Sequence, residues 1–151
     1  GRFVCGASSN CFSAGGGADL AEHIDGDLGL EPGDLVEIDP DGIDRYRLAS
    51  AAFSSLVAGV LSTRPAITMN NGNAADGGLD PRPMLALVGK VPVKAVADNG
   101  PIRPGDLLVS AAIPGHVMRA GDAPPIGTVV GKALSPLPDE RGQVLMLVML
   151  R

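Results

Sequence analysis

One short phrase occurs twice in this chain. Glu31-Pro-Gly-Asp-Leu-Val36 returns as Arg103-Pro-Gly-Asp-Leu-Leu108, 72 residues later. At the same offset, without gaps, Arg47 falls on Arg119, Val57 on Val129 and Gly59 on Gly131. A chain written twice from one pattern is expected to fold as two similar halves whose apolar faces bury each other. The copies span about residues 31–94 and about 103–151, inside a single domain covering 18–151. Copy one carries a longer insertion before its next apolar run, Met84-Leu-Ala-Leu-Val88.

Each repeated piece has a backbone meaning. Proline sets φ for the first central position of a tight turn, and glycine supplies the positive φ of the second. Apolar strands follow each turn, Leu35–Ile38 and Leu107–Val109. A second turn comes next, Asp41-Gly42 or Pro114-Gly115, and Asp-Gly between strands is a hairpin signal. Return strands are expected around Tyr46–Leu48 and Val117–Arg119. Third strands are expected at Val57–Leu61 and Thr128–Lys132. The fourth runs from Leu85 through Lys94, or along the C-terminal apolar run from Val144. The fold class is therefore all-β, an internally duplicated sandwich or barrel of short strands with a flexible N-terminal segment. Pro92 interrupts a strand-like run, which predicts an edge position or a bulge there. Ala49 to Leu56 reads as a helical turn or a loop. Residues 69–78, Met-Asn-Asn-Gly-Asn-Ala-Ala-Asp-Gly-Gly, have loop chemistry.

Composition agrees. With 151 residues, no Trp, one Tyr and three Phe, the core must be built from Val, Leu, Ile, Ala and Met. Gly (21) and Pro (13) leave little room for long helices. The net charge of −5 and the lack of a Lys/Arg cluster argue against nucleic acid as a partner. No apolar run reaches the length of a membrane-spanning helix, so no membrane insertion is expected. Lys90, Lys94 and Lys132 lie on or beside strands, where lysine discourages strand-to-strand aggregation. The chain opens on Gly1 in turn-rich sequence without a secretory signal, which reads as an excised domain or a processed product.

Residues 1–17 form a separate N-terminal strand and linker segment, with Arg2-Phe-Val-Cys strand-like and Ser13-Ala-Gly-Gly-Gly17 a joint. Cys5 and Cys11 are a disulfide candidate, or two reduced thiols near a terminus. No metal is expected, because tetrahedral sites need four ligands and His23 and His116 are far apart in sequence. No cofactor is expected either; Gly15-Gly-Gly17 lacks the Lys and Ser/Thr of a phosphate loop. Asp19 and Glu22, in Ala18-Asp-Leu-Ala-Glu-His-Ile24, are the one spot where the sequence offers carboxylates for chemistry. On a helix they would share a face; on a strand they would point apart. They read either as a general acid or base or as a solvated acidic turn with Asp19 as a cap.

A resemblance enters on a series of phrases taken in order. These are Gly17-Ala-Asp-Leu-Ala-Glu22, Pro-Gly-Asp-Leu-Val, Val57-Ala-Gly-Val-Leu-Ser-Thr63 and Leu87-Val-Gly-Lys-Val-Pro-Val-Lys94. Gly100-Pro-Ile-Arg-Pro-Gly-Asp-Leu-Leu108, Pro114-Gly-His116 and Val130-Gly-Lys-Ala-Leu134 complete it. The series resembles a C-terminal β-domain of long bacterial surface or fibre-like proteins. More distantly, Ala18–Glu22 and the Val-Ala-Gly-Val strand resemble the autocleaving chaperone domain of bacteriophage tail appendage proteins. The first resemblance implies a structural or assembly module at a cell or virion surface, a homo-oligomer (trimer or filament) following an upstream stalk of the same polypeptide. The second implies a self-directed cut near Asp19 and Glu22, in or near the joint before them. Leu20 and His23-Ile24 stand where the phage domains usually carry aromatic residues. A glycan- or surface-binding module is a further alternative, against which the scarcity of aromatics counts. Otherwise no enzyme is expected.

Overall fold

In the computed structural model, residues 18–70 and 80–149 are described, and among them there is no helix. Eleven strands form: β1 (Asp19–His23), β2 (Asp25–Gly26), β3 (Leu35–Ile38), β4 (Arg45–Leu48), β5 (Val57–Val60), β6 (Ile67–Met69), β7 (Met84–Val96), β8 (Leu107–Ser110), β9 (Val117–Arg119), β10 (Val129–Ala133) and β11 (Arg141–Val148). The chain is all-β. One sheet runs β11-β10-β8-β9-β7-β1-β6, and β11 also pairs with β7, which closes β7, β9, β8, β10 and β11 into a five-stranded barrel. A second sheet runs β2-β4-β3-β5.

The duplication is visible in the ladders. Val36 faces Gly59 and Glu37 faces Val57; 72 residues on, Leu108 faces Gly131 and Val109 faces Val129. Each ladder skips one residue, Ala58 or Val130, so even the bulge is repeated. The turns match too. Asp34 Oδ2 accepts the Glu31 amide at 2.8 Å, and Asp106 Oδ2 accepts the Arg103 amide at 2.8 Å. The glycines before these aspartates have φ of 86° and 96°, the left-handed turn conformation in which a Cβ is costly.

The repeat unit reaches further back than the shared phrase. β1 is antiparallel to the first half of β7, with Glu22 opposite Leu85. The second half of β7 is antiparallel to β11, with Val91 opposite Met146. β2 runs parallel to β4 (Gly26 opposite Tyr46), and β7 runs parallel to β9 (Ala95 opposite Val117). Thus β7 ends the first ring of strands and begins the second. The first ring is joined from β5 to β7 by a single bridge, Leu61 to Leu85. The ends of the fold meet on β7, where Asp19 lies opposite Gly89 and Leu147 lies opposite Lys90.

Pro92 sits opposite Leu145, inside the longest ladder. Its neighbours explain why it fits. The amides of Lys90 and Lys94 point away from β11, to Ala18 O and Gly33 O. By alternation the Pro92 nitrogen also points to that side, in the gap between β1 and β9, so no ladder bond is lost. The expected edge position exists locally, within a closed barrel.

One core runs through both rings, joining Leu35, Val60, Val91, Val93, Leu108 and Met146 among others. A smaller cluster of Ile24, Val36, Leu61 and Leu85 fills the first ring, with Tyr46 against it. The segment between β4 and β5 is a loop, not a helical turn. It carries Phe53 onto the second ring, against a cluster that includes Val109 and Met118.

Candidate functional site

Residues 19–23 form a strand, so their side chains alternate. Asp19, Ala21 and His23 are buried, while Leu20 and Glu22 are half-buried on the other face. Asp19 and Glu22 therefore point apart, and β1 does not bring the two carboxylates together.

Asp19 is 6% exposed and lies near Ser62, which is 2% exposed at the end of β5. Neither Asp19 Oδ2 nor Ser62 Oγ makes a hydrogen bond of standard geometry with the described residues. Burial pushes the Asp19 carboxyl above its usual range, and the Ser62 hydroxyl and the Asp19 backbone offset part of that. The backbone around Asp19 is tightly held. Its carbonyl accepts the Ala66 amide at 2.8 Å, and Ala18 O accepts the Lys90 amide at 3.1 Å. Gly89 has a φ of 126°, and a Cβ there would come within 2.3 Å of Ala18 O and 2.5 Å of Asp19 Cα.

On the opposite face, Glu22 lies beside Tyr46 and Asp44. Burial, then the Asp44 and Glu22 charges, push the Tyr46 hydroxyl above its ordinary pKa. A small polar hollow of about 60 Å³ lies here, lined by Glu22, Asp44, Tyr46, Asn70 and Arg82 among others. Arg82 is its hub. Its guanidinium forks onto Asp80 at 2.7–3.1 Å, donates to Asn70 O at 2.7 Å and stands 3.5 Å from Asp25. His23 Nδ1 donates to Arg82 O at 3.0 Å and lies 3.9 Å from Asp80 Oδ1. Asn70 Nδ2 donates to His23 O at 2.8 Å. Arg82 is thus engaged in tying β1 and β6 to the chain entering β7, so the cluster acts as a clasp. Sequence reasoning did not anticipate it. The one available signal was Asp80-Pro81-Arg82-Pro83, where two prolines stiffen a carboxylate and a guanidinium at close spacing.

His116 donates from Nδ1 to Pro114 O at 2.7 Å within its own turn and has no catalytic partner there. Cys5 and Cys11 lie outside the described residues, as do residues 71–78 of the loop read at 69–78. No group of three or more potential ligands could hold a metal ion among the described residues.

The largest departure from a soluble strand pattern lies elsewhere. β11 alternates strictly, burying Val144, Met146 and Val148 in the barrel and presenting Gln143, Leu145 and Leu147 outward. Leu147 is level with Lys90 on one side and Lys132 on the other. Leu145 is level with Pro92, and the Leu134 amide donates to Leu145 O at 2.7 Å. Leu134, Leu145, Leu147 and Val88 are all exposed. Leu134, Leu145 and Pro92 are level with one another, Leu147 follows on β11 between Lys90 and Lys132, and Val88 lies beyond Lys90 on β7, so the apolar side chains share one outer face edged by two lysines. Strand spacing and rise give it an area of about 300 Å². That is within the range of the largest apolar patch on an ordinary monomer, a patch that is often functional.

No protein-family model matches this chain, and no curated protein matches it.

Proposed function

We propose that this domain is a structural assembly module of an extracellular fibre or surface appendage, working through contacts of its outer β-faces. The observation that carries the reading is the outer apolar face of Leu134, Leu145, Leu147 and Val88 beside half-buried Pro92, which the described residues leave exposed. The motif series from Gly17 to Leu134 supplies the fibre setting. The buried charges of the clasp are taken up inside the fold, as expected of a scaffold. The test is mass in solution across a wide concentration range. A species heavier than one chain that grows with concentration is expected. A strict monomer at every concentration, with no affinity for an upstream stalk, would count decisively against the reading.

A second reading is self-cleavage in the joint before β1, favoured by the buried Asp19 carboxyl with its raised pKa immediately after that joint. Because Glu22 faces away, cleavage in this reading depends on Asp19 and tolerates Glu22→Gln. The chain is expressed with its upstream segment as wild type, Asp19→Asn and Glu22→Gln, and fragments are weighed. One intact species from the wild type excludes the reading.

A further inference from the structure

Ten lysines and arginines lie among the described residues, and the fold divides them into two sets. Seven sit in strands: Arg45 and Arg47 in β4, Lys90 and Lys94 in β7, Arg119 in β9, Lys132 in β10 and Arg141 in β11. Three lie outside strands, Arg64, Arg82 and Arg103, and a proline follows each: Pro65, Pro83 and Pro104. The acids obey no such rule. Asp27, Asp41, Asp98 and Asp122 also lie outside strands, and Leu28, Gly42, Asn99 and Ala123 follow them. Proline is about one residue in twenty of ordinary proteins and 13 of 151 here, so three prolines behind three loop arginines are more than composition supplies. The Pro-Gly-Asp turn does not call for a cation before it, since the first repeat carries Glu31 where the second carries Arg103. Residues 3–44 and 65–81 hold no lysine or arginine at all.

A protease that cuts after lysine or arginine makes two demands on the chain it attacks. The backbone around the cation must be free to lie extended along the enzyme's cleft. The nitrogen after the cation must have room to take a proton from the enzyme and depart. Residues in a ladder fail the first demand, because their backbone groups are already paired and must open before they can be cut. Residues before proline fail the second. The proline nitrogen carries no hydrogen, and its ring crowds the side from which that nitrogen leaves. The ring also restricts the backbone of the arginine before it. Side-chain burial does not supply this protection: Arg64 and Arg103 are exposed, and Arg82 is half-buried.

We propose that this fold is closed to proteases of the class that cuts after lysine and arginine, its strands shielding seven sites and Pro65, Pro83 and Pro104 shielding the three in loops. A module built this way keeps its length in surroundings that hold such enzymes. The shielding does not depend on assembly, and it holds for a single chain.

The experiment is digestion of the whole folded chain with trypsin, the products being weighed over time. Wild type is expected to lose Gly1-Arg2 at most and otherwise to stay intact. Pro65→Ala is expected to be cut after Arg64 about tenfold faster than wild type or more. Adding Arg64→Gln to that variant is expected to abolish the cut. Ile126→Arg puts a cation before Gly127 in a turn where the side chain is 98% exposed, and it disturbs no proline. It is expected to be cut at that position, and it decides the matter alone should Pro65→Ala fail to fold. Cleavage of wild type between residues 18 and 149 overturns the shielding. Survival of either folded variant overturns the role given to the prolines, because an exposed loop cation would then be safe without one.

Discussion

Lys94 Nζ lies 2.8 Å from Asp34 Oδ1, so a cation on the strand common to both rings is pinned to the turn that opens the first repeat. Asp34 is buried, and its other oxygen caps the turn. Asp34→Ala leaves an ammonium without its main partner and a turn without its cap, and is expected to cost about 3 kcal/mol in urea unfolding. Asp106→Ala, at the matching turn, removes a more exposed carboxylate 3.5 Å from Arg119, and is expected to cost about 1 kcal/mol. Equal losses at the two turns would contradict this account. The hydrogen bonds to Asp34 and Glu31 hold the Lys94 pKa above its ordinary value. The folded-state pKa is raised, so this stabilisation is complete below the unfolded value of about 10.4 and fades as pH rises through the folded one. Lys94→Met is expected to flatten the alkaline loss of stability.

The two repeats solve one position in opposite ways. Glu37 and Arg47 face each other in the first hairpin, and Val109 and Met118 face each other at the same place in the second. Glu37 is 3% exposed and accepts from Arg47 Nε at 3.0 Å and Ser54 Oγ at 2.7 Å. Arg47→Met alone strands a buried carboxylate and is expected to cost about 3 kcal/mol. Glu37→Val combined with Arg47→Met copies the second repeat into the first and is expected to recover most or all of that loss. A double variant no better than Arg47→Met, in thermal or urea unfolding, would refute the equivalence.

Gly89→Ala tests the close approach of β7 to β1. The new methyl meets backbone at 2.3 Å and 2.5 Å, which no side-chain movement can relieve. A loss of about 3 kcal/mol or more is expected, with rapid hydrogen exchange at the Lys90 and Ala66 amides. Gly100→Ala has nothing within 4 Å of its Cβ, and only the cost of a φ of 91° remains, about 1 kcal/mol. Slow exchange at both amides in Gly89→Ala would count against the contact.

Asp19 gives the fold an acid-side preference. Its folded-state pKa is raised by burial, so protonation favours the folded state. Its contribution is most favourable below the unfolded value of about 3.9 and is lost as pH rises through the folded-state value. Asp19→Asn removes that dependence and is expected to raise stability at pH 7 by about 1 kcal/mol. Unfolding midpoints of both proteins between pH 4 and pH 7 measure it. Parallel curves would show that Asp19 is not the source.

The ladders of the two repeats were legible because their cause is local. Pro-Gly-Asp sets a turn, alternation sets a strand, and the offset of 72 residues carries β3 onto β8 and β5 onto β10, bulge included. The same offset misleads at Arg119, which it aligns with Arg47. The second hairpin is one residue shorter, so the ladder partner equivalent to Arg47 is Met118. β6 was not foreseen, since Ile67-Thr68-Met69 has too few residues to show a period and pairs with a strand far away in sequence. The meeting of Asp19 with Ser62, and of His23 with Asp80 and Arg82, depends on strand order, which no spacing encodes. The outward leucines of β11 were hidden because seven apolar residues in a row, Val144 to Leu150, show no alternation. Only closure of the barrel decides which of them face out.

β7 receives β1 on one side and β11 on the other, with Asp19 opposite Gly89 and Leu147 opposite the next residue, Lys90. Two strand spacings therefore separate the entry and exit of the fold, about 10 Å. The shortest path through the ladders from β1 to β11 therefore crosses β7 at Gly89 and Lys90. A pull applied between those two strands would load that crossing first, ahead of the turns of either repeat.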